Sequence, residues 1–342
     1  MCDTLVALAP ATAAGTTLFA KNSDRPPHER QVVEHHPPRR EEVTRATHVA
    51  LPGHPEPTFA VTGSRPTWMW GMEHGVNEAG VAVGNEMIFT LDDPRDAPVA
   101  LTGMDLVRLA LERAANATAA VATLTSLLEA HGQGGSGHDH DDVPYWSSFL
   151  VADPASAWVV ETSGRSWAAE EVDRTRAISN RTTIPSFDAI HRSAQEAASP
   201  FVDPRWEAGR EVLADRPVTD AGLRAHLRAH VGGDDGWTVC MHVDGLEATT
   251  ASVVATLRPD GPPWARFLLG SPCRSVYVPL RVGEPVGAVP APDRFAALTD
   301  AHRGALDDLE GDLDAAVADE PGPGWNAEAW SRVTSTLDRL GV

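Results

Sequence analysis

The sequence predicts an α+β protein in which sheet and helix occupy separate layers. Three observations carry this. The chain runs through strand-like segments, then two helices, then more strands, then helices; it lacks the regular βαβ alternation of a dinucleotide fold; and no repeat of fixed period is visible.

The elements follow in order. Thr4–Ala9 is an apolar run, a turn at Ala11–Gly15 reverses it, and Thr16–Ala20 runs back, so the first twenty residues predict a hairpin. Residues 26–57 are rich in proline, histidine and charge and are expected as loop with one short strand. Thr58–Thr62 and Val81–Thr90 are expected as strands. Over 103–131 the apolar residues Met104, Leu106, Val107, Leu109, Ala110 and Leu111, then Val121, Leu124, Leu127 and Leu128, recur at helical spacing; Asn116 is expected to divide this stretch and Gly132 to cap it. A glycine-rich loop fills 132–142. Strands are expected at 149–152, 158–161, 167–172, 176–179, 238–243, 252–257, 266–269 and 276–280, with a helix at 221–231. From Asp293 the acidic tail reads as a helical pair split by Glu320–Gly324.

Bulk properties narrow the function. The 342 residues are 42% apolar, enough for a large core, and carry a formal charge of −20. Nucleic acids and anionic membrane surfaces attract basic protein, so neither is an expected partner. No apolar run reaches the roughly 18 residues of a membrane span, and the N-terminus lacks the layout of a signal peptide; a cytoplasmic setting is expected. Three widely spaced cysteines, Cys2, Cys240 and Cys273, make no disulfide framework. Of 28 basic residues only Lys21 is lysine, which marks that position as one where an amine matters. There is no GxSxG elbow, Walker sequence or GxGxxG.

Cys2 is the residue with unusual chemical potential. If Met1 is trimmed, one residue carries both a thiol and an α-amine of pKa about 7.7–8.0. Near neutral pH that amine can take the proton of its own thiol, so nucleophile and base come together without a histidine. The return strand ends in Lys21-Asn22-Ser23-Asp24-Arg25, and antiparallel pairing brings that end beside Cys2. Asp24 is then placed to hold the amine, and Lys21 to supply charge that favours thiolate.

The opening MCDTLVALAPATAAGTTLFAKNSDRPPHE resembles that of the secernins and related bacterial dipeptidases. So do, in collinear order, SRPTWMWGMEHGVNEAGVAVGNE at 64–86, GMDLVRLALERA at 103–114, LLEAHGQGG at 127–135, FLVADPASAWVVETSGRSWAAEEV at 149–172, RAISN at 176–180, and CMH with TTAS between 240 and 252. The resemblance covers roughly residues 2–280. It implies an N-terminal-nucleophile hydrolase related to penicillin V acylase and bile salt hydrolase. The implied fold is a four-layer αββα sandwich of two antiparallel sheets, spanning residues 2–285 and followed by an acidic helical extension over 286–342.

The resemblance also implies roles. Cys2 falls on the nucleophile, Lys21 where the acylases have arginine, and Asp24 on the amine-binding aspartate. Asn85 falls near a residue whose backbone N–H helps form the oxyanion hole, and Asn180 on an asparagine whose side-chain amide completes it. The acylases carry one further, late arginine. No clear counterpart is found; Arg258 or Arg266 is expected nearby, with His242 taking part of its role.

The implied activity is amide hydrolysis without metal or organic cofactor, most simply of a short peptide with a free N-terminus. Glu73 and Glu86 are candidates to bind such an ammonium, and Trp68 and Trp70 to line the pocket. Hydrolysis of N-acyl substrates, or a non-catalytic interaction role on the same fold, are the alternatives, and a homo-oligomer is compatible with the tail. The cluster His138, Asp139, His140, Asp141 and Asp142 is expected as a solvated flexible loop, not a metal site, and His35 and His36 are treated alike. Cys240 and Cys273 are expected as inert buried thiols.

Overall fold

A computed structural model describes residues 1–193, 200–318 and 320–342. Its framework is two seven-stranded antiparallel sheets. The first contains β1 (Cys2–Ala7), β2 (Thr17–Arg25), β12 (Thr175–Ile178), β13 (His242–Val243), β14 (Glu247–Leu257), β15 (Trp264–Leu269) and β16 (Val278–Arg281), in the order β12-β1-β2-β14-β15-β16 with β13 on β14. The second contains β3 (Gln31–His36), β6 (Val61–Pro66), β7 (His74–Asn77), β8 (Ala82–Ile88), β9 (Trp146–Ala152), β10 (Ala157–Ser163) and β11 (Ser166–Glu171), in the order β11-β10-β9-β8-β7-β6-β3. A small ribbon of β4 (Val43–Arg45) and β5 (Ala50–Pro52) stands apart.

Side-chain alternation along each strand builds the layers. Val6 and Phe19, with Ala251, Val253 and Phe267, point toward Ala82, Leu150 and Val159 of the other sheet and form the central core. The intervening Leu5, Ala7, Leu18 and Ala20 point the other way. They pack against α4 (Asp203–Ala214) and α5 (Asp220–Leu227) through Leu213, Leu223 and Leu227. On the far side, Val83, Phe149, Val151 and Val160 pack against α1 (Gly103–Arg113) and α2 (Ala117–His131). Helices therefore cover both outer faces of two stacked sheets, which is the αββα sandwich that the family resemblance implies.

The caps explain where α1 and α2 divide. Thr102 and Asp105 form a capping box on α1. The Asn116 side chain accepts the Ala119 N–H to open α2, and Gly132, with φ of 79°, closes it. At the far end of the first sheet, α7 (Arg303–Ala318) and α8 (Trp325–Leu340) share the central apolar cluster through Leu306, Leu313, Trp330 and Val333. The Trp325 indole donates to the Pro279 carbonyl at 2.7 Å. Two short helices, α3 (Pro185–His191) and α6 (Pro292–Ala296), complete the set among the described residues.

Several local expectations need correction. Residues 26–57 hold three strands, not one. The run 238–243 is laddered only at His242–Val243, because its earlier part bonds elsewhere: the Val239 and Cys240 N–H groups donate to the Val231 and Ala229 carbonyls, and Asn22 Nδ2 donates to the Val239 carbonyl at 2.7 Å. The short strand β7 and the helices α3 and α4 have no counterpart in the sequence reading. No helix among the described residues is long and apolar enough to cross a membrane.

Candidate active site

Strand pairing assembles the site. Cys2 lies opposite Ser23, and Thr4 opposite Lys21, while β14 sets Thr249 against Asp24 from the other side of β2. Lys21, two residues on from Phe19, shares its inner face, so the lone lysine enters the space between the sheets. It is fully buried, with the Cys2 thiol among the groups that act on its ammonium. Its Nζ donates to the Asn22 carbonyl at 3.3 Å and lies 3.8 Å from Glu73 Oε2. Burial opposes the charged ammonium, but Cys2, Glu73 and Glu86 outweigh it and hold the pKa of Lys21 above its usual value.

The thiol itself is not ionised in this form. Burial pushes Cys2 up to about 11, against the opposing pull of Lys21 and the Met1 amine. The Cys2 main-chain nitrogen donates to Asn180 Oδ1 at 2.9 Å. The other face of Asn180 is engaged too: its Nδ2 donates to the Met87 carbonyl at 2.9 Å. In this arrangement the amide oxygen of Asn180 anchors the nitrogen of residue 2, and one of the two Nδ2 hydrogens is engaged by Met87.

Asp24 is fully buried and pushed up to about 7 by that burial, against the Met1 amine and Arg205. Its Oδ1 accepts the Thr249 hydroxyl at 2.6 Å. Its Oδ2 has no hydrogen-bond partner among the described residues, and the nearest cation is Arg205 Nη1 at 3.9 Å. A buried carboxylate oxygen left in this state is a place for a donor. Met1 is still attached here. Its carbonyl accepts the Asp24 N–H at 3.0 Å, and its ammonium lies 3.4 Å from both the Asp24 carbonyl and Glu247 Oε2.

Around these groups is a narrow cleft of about 20 Å³ lined by Met1, Cys2, Asp24, Arg25, Glu73, Asn85, Met87, His138 and Tyr145. The last pairing of β7 with β8 is His74 to Gly84, so at Asn85 that edge of β8 has passed its neighbour. The Asn85 Nδ2 turns toward the Met104 sulfur at 3.4 Å. The Tyr145 hydroxyl also reaches that sulfur, at 3.0 Å, and burial keeps the phenol neutral.

The remaining candidates lie differently from expectation. Glu73 borders the cleft but is paired with Arg25 and Lys21, which hold it ionised against burial. Glu86 is sealed between the sheets, accepts from Thr4 and is pushed up to about 8 by burial, so it is a neutral acid near pH 7 and a poor ammonium receptor. The Trp68 indole donates to Glu29 at 2.9 Å. Trp70 stacks under Arg108 at 4.0 Å and does not line the cleft. His242 does not line it either; its imidazole lies against Cys240 and Cys273.

The loop expected to be free is anchored over the site. Arg25 donates to the Gly137 carbonyl, and the Asp139 N–H donates to Glu29 at 3.0 Å. His138 lies 3.5 Å from the same carboxylate.

The late arginine is neither Arg258 nor Arg266. Arg258 pairs with exposed Glu320, and Arg266 with Asp220 and Asp314, both away from Cys2. The later arginine beside Cys2 is Arg205 on α4, fully buried. It donates to Asp3 Oδ2 at 2.6 Å, to Asn180 Oδ1 at 2.8 Å and to the Cys2 carbonyl at 3.4 Å.

A sequence profile of peptidase family C69 matches residues 1–202, more than half of the chain. The chain belongs to peptidase family C69. The match contains Cys2, Lys21, Asp24, Asn85 and Asn180 and stops just short of Arg205. Membership makes this C69 chain a hydrolase of the peptidase class. Two structures of variants of the conjugated bile acid hydrolase from Clostridium perfringens share its fold. One aligns at a TM-score of 0.53 and 13% identity over 82% of this chain and 92% of the other. The second aligns at 0.53 and 14% identity over 81% and 92%.

Proposed function

We propose that the chain is an N-terminal-nucleophile amide hydrolase acting on short peptides with a free N-terminus, with Cys2 as nucleophile after loss of Met1. The observation that carries the reading is that one residue sets its sulfur beside Lys21 and its nitrogen on Asn180 at a single cleft. Because burial keeps the thiol protonated beside Lys21, a base is required. The α-amine freed by removal of Met1 is the nearest one, held by Asn180 and by the unpartnered Oδ2 of Asp24.

The amine takes the thiol proton, and the thiolate, steadied by Lys21, attacks the scissile carbonyl. The oxyanion is received by the Asn85 main-chain N–H and the remaining Nδ2 hydrogen of Asn180; loss of one such donor typically raises the barrier by about 2.7–4 kcal/mol. The protonated amine then gives its proton to the leaving nitrogen. Water activated by the same amine cleaves the thioester. Arg205 touches none of the reacting atoms and acts as a positioning residue through Asn180 and Asp3.

Specificity for a free N-terminus is supported by Glu247. In the untrimmed chain it receives an ammonium, that of Met1, one residue from the nucleophile. The test is a panel of dipeptides, their N-acetyl forms and N-acyl amino acids. Free dipeptides should exceed their N-acetyl forms in kcat/KM by at least about tenfold, roughly the 1.4 kcal/mol of one charge-assisted contact, and Glu247→Gln should erase that preference. Equal or better turnover of the N-acyl compounds by the wild-type enzyme overturns the peptide assignment.

A further inference from the structure

Two of the three cysteines lie away from Cys2, with two imidazoles aimed at them. The side-chain ligand atoms of His230, Cys240, His242 and Cys273 all fall within 4.8 Å of one another. His242 Nε2 is 3.5 Å from Cys240 Sγ and 3.2 Å from Cys273 Sγ. The rings of His230 and His242 meet nearly at right angles, with centroids 5.1 Å apart. Zinc–sulfur bonds of about 2.3 Å and zinc–nitrogen bonds of about 2.0–2.1 Å in a tetrahedron place neighbouring ligand atoms about 3.3–3.8 Å apart. The 3.5 Å separation has that edge length, the 3.2 Å one is slightly shorter, and all four atoms lie within 4.8 Å of one another.

The backbone that carries these groups is fixed by other bonds, so the convergence does not depend on the side chains themselves. The Cys240 N–H donates to the Ala229 carbonyl at 3.0 Å, and the Val239 N–H to the Val231 carbonyl at 2.9 Å. Arg228 Nε donates to the Pro272 carbonyl at 3.0 Å, which ties the turn bearing Cys273 to the end of α5. Three segments distant in sequence are thus held with their donor atoms facing one point.

We propose that His230, Cys240, His242 and Cys273 form a tetrahedral structural zinc site. Two thiolates and two imidazoles are the donor set zinc prefers, and four protein ligands leave no open position for substrate, so the role is to staple rather than to react. A disulfide between the two cysteines would leave both imidazoles without a purpose at this spot. The staple reaches the active site through main chain. Met241, between two ligands, donates its N–H to the Thr249 hydroxyl at 2.9 Å, and that hydroxyl donates to Asp24 at 2.6 Å. Zinc at this position holds the segment that fixes the partner of Asp24.

The experiment uses the full chain, purified reduced, without a histidine tag or chelator. Elemental analysis should find about one zinc per chain. Cobalt exchanged into the wild-type protein should give the intense visible bands of a tetrahedral ion with thiolate charge transfer. Cys2→Ala should keep the metal. Cys273→Ser and His242→Ala should each bind it at least about tenfold more weakly in competition with a chromophoric chelator. The wild-type cobalt spectrum does not depend on any variant folding. Absence of stoichiometric metal from reduced wild-type protein, a cobalt spectrum without thiolate charge transfer, or a Cys240–Cys273 disulfide in its place overturns the proposal.

Discussion

Asn180 Oδ1 lies 2.9 Å from the main-chain nitrogen of Cys2 and 2.8 Å from Nη2 of Arg205, so one acceptor ties the first residue of β1 to a helix of the outer layer. The arginine is fully buried, and its other contacts are Asp3, the Phe201 and Cys2 carbonyls and, more distantly, Asp24.

Arg205→Ala leaves those oxygens without their cation and should cost about 3–5 kcal/mol of stability, the usual effect of breaking a buried pair. Arg205→Lys keeps the charge but not the fork that spans Asp3 and Asn180. It should fold, and should lose at least about tenfold in kcat with KM within about threefold, because the group fixes geometry and does not bind substrate. Steady-state kinetics on the lysine variant checks this; unchanged kcat would show that the arginine is structural only.

Gly84 makes room for the lysine. A Cβ there would come 2.6 Å from Lys21 Cδ and 3.1 Å from its Cε. Gly84→Ala should therefore push the ammonium off the thiol. We expect a loss of kcat/KM of about tenfold or more, with the melting temperature falling by only a few degrees. Comparing alkylation rates of Cys2 in the two proteins reads the displacement directly.

Glu86 should govern part of the pH dependence of stability. Its carboxyl is raised from the ordinary value near 4.5 to about 8. Between those values the folded state holds a proton that the unfolded chain releases, so stability falls as pH rises through that window and the full penalty is present above about pH 8. Glu86→Gln keeps the shape and cannot ionise. It should flatten the decline, gaining on the wild type by a few kcal/mol at pH 9 and by almost nothing at pH 4. Denaturant unfolding at the two pH values tests this, and a parallel decline in both proteins would refute it.

The parts of this structure that were legible in the sequence are those where local pattern and global fold agree. The first hairpin alternates cleanly, so the register that puts Asp24 near residue 2 follows from it. Asn116 and Gly132 mark helix ends by their own side-chain and backbone chemistry. Helix α4 was silent because its buried face is Arg205, Gly209 and Leu213, in which two of the three positions carry no apolar signal. The site arginine was missed for the same reason: a charged residue in a helix normally marks the solvent side. Strand β7, four residues reading His-Gly-Val-Asn, is too short and too polar to show a period. The anchored loop over 137–139 depends on Arg25 and Glu29, more than a hundred residues away in sequence, a pairing that composition cannot show.

Cys2→Ala should abolish hydrolysis while leaving the melting temperature nearly unchanged, since the exchange removes one small buried sulfur. Retained turnover in that variant would assign the chemistry to another group.

The central claim is that residue 2 supplies sulfur and amine together. The most direct test is the intact mass of catalytically active protein, before and after brief treatment with iodoacetamide near neutral pH. The account predicts a chain lacking Met1, with the first label on Cys2 and activity lost in step with it. Fully active protein that retains Met1, or loses activity only when another residue is labelled, would contradict it.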